Sequence, residues 1–473
     1  MNQPLNGQIS HWMHGQKKQQ PIVNFPDERQ NLTVVGGGLT GLWTAFFAKK
    51  RNPHCEVTVI EKEQLGFSAS GRNGGWLSTL LPGNRSVYAR ASHKQGLDGD
   101  ALIRDFQAAL FDSIDEVLDV LKSYKIDADQ HQGGNLYVAR NSASLQRLKK
   151  LYETDKHWGY SDDNIQILSA DESMQRIRVT NTLGAIYYPR TVALDPAKLV
   201  LGLGEVLEDM GVRICEKTTA EHVESNVVFT SRGKIFTDEI VVALEAHTGS
   251  IGGKVKGLGK REVVPVNSAM IATRPLSWEF WDEIGWSDRD CLDDFDHTFV
   301  YAQRTIDDRI AIGGRGYPYR FGSKTAGYGH TESRTIGQLT DRLDSFFPGY
   351  EFPVDHVWKG NIGVTRDWCP GVFYDTSQHI AVVRGFAGHG VTASHLAAKT
   401  MLDLIDRNES SLTRLPWVNY SSKAWEPEPL RWIGIHAMYK LFEIADTLEY
   451  RSNSGKTHPI AVVGSHIAGL AGK

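Results

Sequence analysis

Three glycines, Gly36, Gly38 and Gly41, stand in G-x-G-x-x-G spacing between a β-branched run, Leu32–Val35, and a helical pattern with Leu42, Ala45 and Phe46 on one side. Each glycine has its own reason to be there. The first permits a tight turn, the second lets backbone approach a diphosphate, and the third lets helix and strand pack closely. The helix start then offers free amides to the phosphates. Val57–Ile60 reads as a second short strand, and Glu61 follows it, 20 residues after Gly41. A carboxylate in that place can accept the hydroxyl protons of an adenosine ribose. Glycines alone would not separate this from an ordinary glycine-rich turn. Strand, helix, second strand and acid in register specify a β-α-β unit for a dinucleotide. Leu39, Thr40 and Lys62 complete its candidate contacts. No other stretch repeats the pattern: Gly202-Leu203-Gly204 has Leu207 where a third glycine is needed, and Ser454-Gly455-Lys456-Thr457 has Tyr450 where a phosphate loop needs glycine.

Downstream, Leu102, Phe106, Leu110, Ile114, Val117 and Leu121 recur at helical spacing, and Leu145, Leu148 and Leu151 suggest another helix. Asp195-Pro196 has the chemistry of a helix start, and Gly211 that of a stop. Val212–Cys215, Val227–Phe229 and Ile240–Leu244 read as strands. Val263–Thr273 and Phe299–Ile312 read as antiparallel strands, the latter turning near Asp307-Asp308. A last strand, Ile380–Val383, runs into "GFAGHG" and a helix from about Val391 to Ile405. The order predicts an α/β fold. A Rossmann-like dinucleotide domain is built from discontinuous segments (31–95, 190–260 and 355–408). An inserted α+β substrate domain with an antiparallel sheet takes 96–189 and 261–354. A leader (1–30) packs on the surface or stays loose, and an appendix (409–473) ends in a helical pattern from Trp432 to Leu448.

A 473-residue chain that is 41% hydrophobic and 23% charged can bury a large core. Its net charge of -4 gives a nucleic-acid partner no electrostatic support. Cys55, Cys215, Cys291 and Cys369 lie far apart with no C-x-x-C, so neither a metal site nor a disulfide scaffold is indicated. Reduced thiols in a cytoplasmic protein fit this usage. No apolar run is long enough to span a bilayer, and the polar N-terminus lacks a secretion signal.

"SASGRNGGW", Ser68–Trp76, follows the acid. Its Ser, Gly and Asn residues leave backbone amides free to face a phosphate or a ring edge, and Arg72 adds a charge. A solvated loop is the alternative. Taken with the glycine turn and Glu61, this stretch resembles FAD-dependent oxidoreductases of the D-amino-acid oxidase type, and within them the gamma-glutamylputrescine oxidase branch. The resemblance covers roughly residues 32–406. It implies that Ser70, Arg72, Asn73, Gly74, Gly75 and Trp76 contact non-covalent FAD. "VVALEAHTGSI" resembles the strand beneath the cofactor, and Ala220 stands where backbone usually meets the adenine. "GFAGHGVTASHL" resembles the last flavin signature, which implies that Gly388, His389, Gly390, Val391 and Thr392 lie against the pyrimidine side of the ring. A helix start there would stabilise negative charge on reduced flavin. Some sarcosine oxidases attach FAD through a cysteine; the matching region, about residues 359–361, holds none, and Cys369 reads as a small buried residue.

The resemblance implies oxidation of an amine or amino acid at its C–N bond by hydride transfer to flavin N5. The imine hydrolyses, oxygen accepts the electrons and hydrogen peroxide leaves. No residue pattern identifies a general base, so catalytic residues stay unassigned. Substrate contacts are expected on the antiparallel strands, from Tyr301, Arg315 or Arg320, Tyr317 and Tyr319, with Trp358 at the flavin face. Each could instead be a rim or core residue. A dehydrogenase with another acceptor, an NAD-dependent dehydrogenase and a non-catalytic flavin subunit are the competing readings.

Overall fold

The structure is a computed structural model that describes residues 3–7, 9–16, 25–314, 316–325, 329–452 and 454–470. Two large sheets dominate it. In the first, strand Gln30–Val35 lies between Val57–Ile60 and Gly233–Val242, all parallel, with Arg213–Cys215 beyond Val57–Ile60 and Ile380–Arg384 beyond Gly233–Val242. Their runs of β-branched residues are buried on both faces, as a parallel sheet requires. Helix Leu39–Arg51 and helix Gly390–Ile405 pack together on one face. The long helix Gly99–Ser123 joins them there: Phe106, Leu110, Ile114 and Val117 share a core with Leu42, Phe46 and Leu396. The helical spacing put this helix in the substrate portion, yet its apolar face is buried against the dinucleotide unit.

The second sheet has nine strands. Within it Val264–Thr273 pairs antiparallel with Val354–Val364 on one side and Ile310–Gly314 on the other. Tyr301–Arg304 and Ile310–Gly314 form the expected hairpin, with Asp308 left-handed (φ 59°) in its turn. Strand Val354–Val364 falls in a segment expected on the dinucleotide side; ten paired positions along Val264–Thr273 place it in this sheet instead.

Segments near both ends of the sequence are docked among the described residues. Leu5–Asn6 adds a short parallel edge strand against His356–Val357, and Trp12 is 4% exposed. The appendix forms two helices, Leu430–Ser452 and Pro459–Ala468, packed on each other. Helix Pro196–Asp209 starts as its sequence predicts: Asp195 Oδ1 accepts from the Ala197 and Lys198 amides, and Pro196 fills the first turn.

Candidate active site

The first glycine turn is built by steric exclusion. Gly36 has φ 116°, and a Cβ there would sit 2.5 Å from the Ala243 carbonyl oxygen. A Cβ on Gly41 would fall 1.9 Å from the Gly36 oxygen, so only glycine lets Leu39–Arg51 leave the strand this closely. Gly38 is the N-cap, with no side chain over the helix start. Leu39 and Thr40 begin the helix, with amides unpaired inside it. Glu61 ends the second strand. Its Oε2 accepts from Gly37 N–H and its Oε1 from Glu63 N–H, both at 2.9 Å. Burial raises its pKa. Lys62 is exposed beside it, and Ala220 opens the neighbouring strand Ala220–Glu224.

The loop Ser68–Trp76 folds back onto this turn. Ser70 Oγ accepts from Leu39 N–H at 2.9 Å, at the place where a diphosphate oxygen would accept. Three successive carbonyls of the loop are held from outside. Ser10 Oγ donates to Gly71 O (2.6 Å), Trp358 Nε1 to Arg72 O (3.0 Å) and Trp12 Nε1 to Asn73 O (2.9 Å). Asn73 spans the loop, donating to Ala69 and Ser70 carbonyls and accepting from Gly75 N–H. Arg72 is 6% exposed and donates to Phe67 O and Lys359 O; burial lowers its pKa to about 10.

The last glycine turn closes the site. Gly385, Ala387 and Gly388 all have positive φ (88°, 54° and 101°), and helix Gly390–Ile405 begins after His389 with no side-chain cap. Thr392 Oγ1 donates to Ser78 O at 2.7 Å, tying this helix to the strand after Trp76. One buried acid organises the turn. Glu245 Oε1 accepts from Gly363 N–H (3.1 Å) and Phe386 N–H (3.0 Å), and its Oε2 from Gly385 N–H (2.7 Å). Burial pushes its pKa up to about 7 against the pull of those amides.

Between the Ser68–Trp76 loop, the last glycine turn and the nine-stranded sheet lies a cavity of about 1110 Å3. Ala69, Arg72, Asn73, Gly74 and Trp76 line it on one side, and Gly388, His389 and Val391 on another. Tyr301 and Ser268 face them from the sheet, the Tyr301 hydroxyl 2.8 Å from Ser268 Oγ and its ring edge-on to Trp76 at 5.8 Å. Gly74 and Gly313 make room for the Tyr301 ring, since a Cβ on either would come within 3.0 Å of it. The Trp76 indole N–H is buried with no partner among the described residues. An amide-rich helix start, an acid on the ribose side and an adjoining cavity with an unsatisfied donor fit a dinucleotide with a flat ring system.

Of the residues expected at the substrate that the structure describes, Tyr301 alone lines the cavity. Trp358 is fully buried among Trp12, Met270 and Ala311, because the Ser68–Trp76 loop covers its end of the strand. Tyr319 is also buried, its hydroxyl donating to Glu428 at 2.7 Å. Tyr317 is half-exposed and packs on His436, and Arg320 lies 3.5 Å from Glu332; neither borders the cavity. Arg315 lies outside the described residues. Cys369 is fully buried, its Sγ beside the Asn84 amide, and does not line the cavity. Sequence reasoning missed Glu245, although an acid among small and apolar residues just after a buried strand is a signal. It also missed Ser10, Trp12 and Ser268, whose roles depend on contacts with distant residues.

The sequence was compared with known proteins and families. The family model described as FAD dependent oxidoreductase matches residues 31–404. The chain is 27% identical over 381 residues to the gamma-glutamylputrescine oxidoreductase of Escherichia coli (strain K12), covering 79% of this chain and 83% of that protein. It is 22% identical over 402 residues to a sarcosine oxidase subunit beta from an Arthrobacter species, covering 83% and 91%. Among solved structures, L-proline dehydrogenase from P. horikoshii superposes with a TM-score of 0.66 at 19% identity, over 81% of this chain and 95% of that one. Glycine oxidase from Geobacillus kaustophilus gives 0.62 at 20%, over 83% and 99%. With the glycine turn, Glu61 and the last turn all inside the matched span, the chain belongs to the family of FAD-dependent oxidoreductases, and FAD is its cofactor.

Proposed function

We propose that this protein oxidises an amine or amino acid at its C–N bond, with oxygen as acceptor and hydrogen peroxide as product. The observation that carries the reading is the cavity that meets the Ser68–Trp76 loop and the last glycine turn on one side and Tyr301 on the other. The relatives named for gamma-glutamylputrescine and sarcosine, and the glycine oxidase fold, support an amine nitrogen as the reacting centre.

Bound FAD supplies the hydride acceptor, so the chain need provide no nucleophile. Gly36–Gly41 and Glu61 would hold the adenosine diphosphate half. Ser70, Asn73 and Trp76 would meet the ring, and Gly388–Thr392 its pyrimidine side. Negative charge on that side is favoured by the helix start at Gly390, whose amides have no cap. Tyr301, fixed by Ser268, and Trp76 position the substrate carbon and keep water from it. Neutral amine is the form that can lose hydride, and no side chain is assigned to take its proton. Burial of Cys369 away from the cavity supports non-covalent attachment.

Anaerobic addition of amines to the yellow protein tests this. At least one amine or amino acid bleaches the flavin, and air restores the colour with release of peroxide. Bleaching with slow return in air favours a dehydrogenase with another acceptor. A flavin that no amine reduces overturns the proposal.

A further inference from the structure

The family match ends at residue 404, yet one wall of the cavity is made by residues beyond it. Helix Leu430–Ser452 presents Gly434, Ile435, Met438, Tyr439 and Phe442 to the cavity. We propose that this appendix is the specificity wall of the site. It selects amines that carry an alkyl or aromatic tail beyond the oxidised carbon. The inference rests on the function proposed above and deepens it.

The wall is anchored on both sides of the reacting end. Trp425 Nε1 donates to Val364 O and Trp368 Nε1 to Ala468 O, both at 2.9 Å. Arg366 Nε pairs with Glu426 at 3.0 Å. Val364, Arg366 and Trp368 themselves line the cavity, so the appendix is bonded directly to its inner surface. At the far end Asp446 accepts from the His297 and Thr298 amides (2.8 and 2.9 Å) and the Thr298 hydroxyl, and Glu449 accepts from Arg147 at 2.6 Å. These are buried carboxylates with satisfied oxygens, so the helix is held in one register over the cavity. Nothing in such anchoring resembles a loose tail.

The chemistry of the exposed lining fixes the ligand class. Ile435, Met438 and Phe442 offer an apolar, adaptable surface, and methionine in particular accommodates varied shapes. A cavity of about 1110 Å3 lies at the upper end of small-molecule sites, which run to roughly 1,000 Å3. Met438 and Tyr439 on this wall are only partly buried and keep surface to offer. An amine with an apolar tail would cover it, and gain hydrophobic free energy at positions remote from the C–N bond.

Gly434 provides the test. A Cβ there would meet nothing within 4 Å, so a larger side chain enters the cavity without touching the fold. Flavin reduction is measured anaerobically with two homologous series, n-alkylamines and N-alkylglycines, from methyl to hexyl. In the unmodified enzyme the half-saturating concentration falls as the tail lengthens. Gly434→Phe raises it about tenfold for hexyl members and leaves methyl members within about twofold. Ile444→Phe, on the exposed side of the same helix, changes neither. Met438→Ala, which widens the cavity, shifts the optimum toward N-benzylglycine and decides the matter should Gly434→Phe not retain FAD. Equal effects on short and long members, or no effect of either cavity variant, overturn the inference while leaving the proposed function standing. An unmodified enzyme that no amine reduces overturns both.

Discussion

The turn at Gly36–Gly41 and the turn at Gly385–Gly390 both deliver a strand into a helix start, but different atoms hold them. The first is set largely within its own β-α-β unit: the Gly36 carbonyl excludes a side chain at Gly41 and Glu61 closes the turn through the Gly37 amide, with the Ala243 carbonyl as the one distant atom against Gly36. The second is held by Glu245, some 140 residues upstream, whose carboxylate also grips Gly363 in the other sheet. One turn is thus a local steric solution. The other is a junction at which the two sheets and the end of the family span meet.

The largest expected effect lies in the local turn. Gly41→Ala places a Cβ on the Gly36 oxygen, and neither backbone can retreat without unpairing the strand. A loss of about 4 kcal/mol or more is expected. Thermal unfolding of the apoprotein should show a large drop in Tm, and the protein should not retain FAD. A Tm close to that of the unmodified protein would mean that the turn is not closed by sterics.

The junction should respond to pH. Glu245 has a folded pKa of about 7, above its ordinary 4.5, so the folded state holds the proton more tightly than the unfolded state. Its stabilisation is therefore complete below about pH 4.5 and is lost as pH rises through 7, on the order of 3 kcal/mol. Asp195 and Asp290, both pushed up to about 6, add to the same trend, so the comparison must be between variants. Urea midpoints at pH 5 and pH 8 should differ less in Glu245→Gln than in the unmodified protein. An identical pH slope in both would remove Glu245 from this role.

This contrast also explains what the sequence could convey. The β-α-β unit, Asp195-Pro196 and the hairpin near Asp308 were legible because the residues that determine each stand within a few positions of one another. Placement of Tyr301 against Trp76 was only half legible. The strand was evident, but the ring's direction depends on Gly74, in the distant loop before Trp76, and on Gly313, in the paired strand Ile310–Gly314. Trp358 misled because an aromatic on a cavity-facing strand looks like a wall residue. The loop that covers it is held by Ser10 and Trp12, and no periodicity announces such a contact. Tyr317 and Tyr319 lie past the end of their strand, where Glu428 and His436 of the appendix capture that segment.

The loop Ser68–Trp76 stands between the two turns in character, and the leader is its distant support. Ser10→Ala with Trp12→Phe removes two hydrogen bonds to loop carbonyls and leaves the packing of Trp12 nearly intact. At about 1 kcal/mol each, FAD affinity should weaken by tenfold or somewhat more, with little change in apoprotein Tm. Fluorescence titration of apoprotein with FAD measures this. Unaltered affinity would show that the loop holds its shape without the leader.

Gly390→Ala should have the smallest effect on the protein itself. The nearest atom to a Cβ there is Phe386 Cδ2 at 3.5 Å, an ordinary contact, and alanine favours a helix start more than glycine does. Apoprotein Tm should be unchanged or slightly raised. If the ring of FAD rests on the amides of this helix start, the added methyl group intrudes on it, and affinity falls although the fold does not. The same substitution at Gly41 removes the fold first. Measured side by side on apoprotein, the two variants separate a glycine required by the chain from a glycine required by the cofactor. Unchanged FAD affinity in Gly390→Ala would place the ring elsewhere along the cavity.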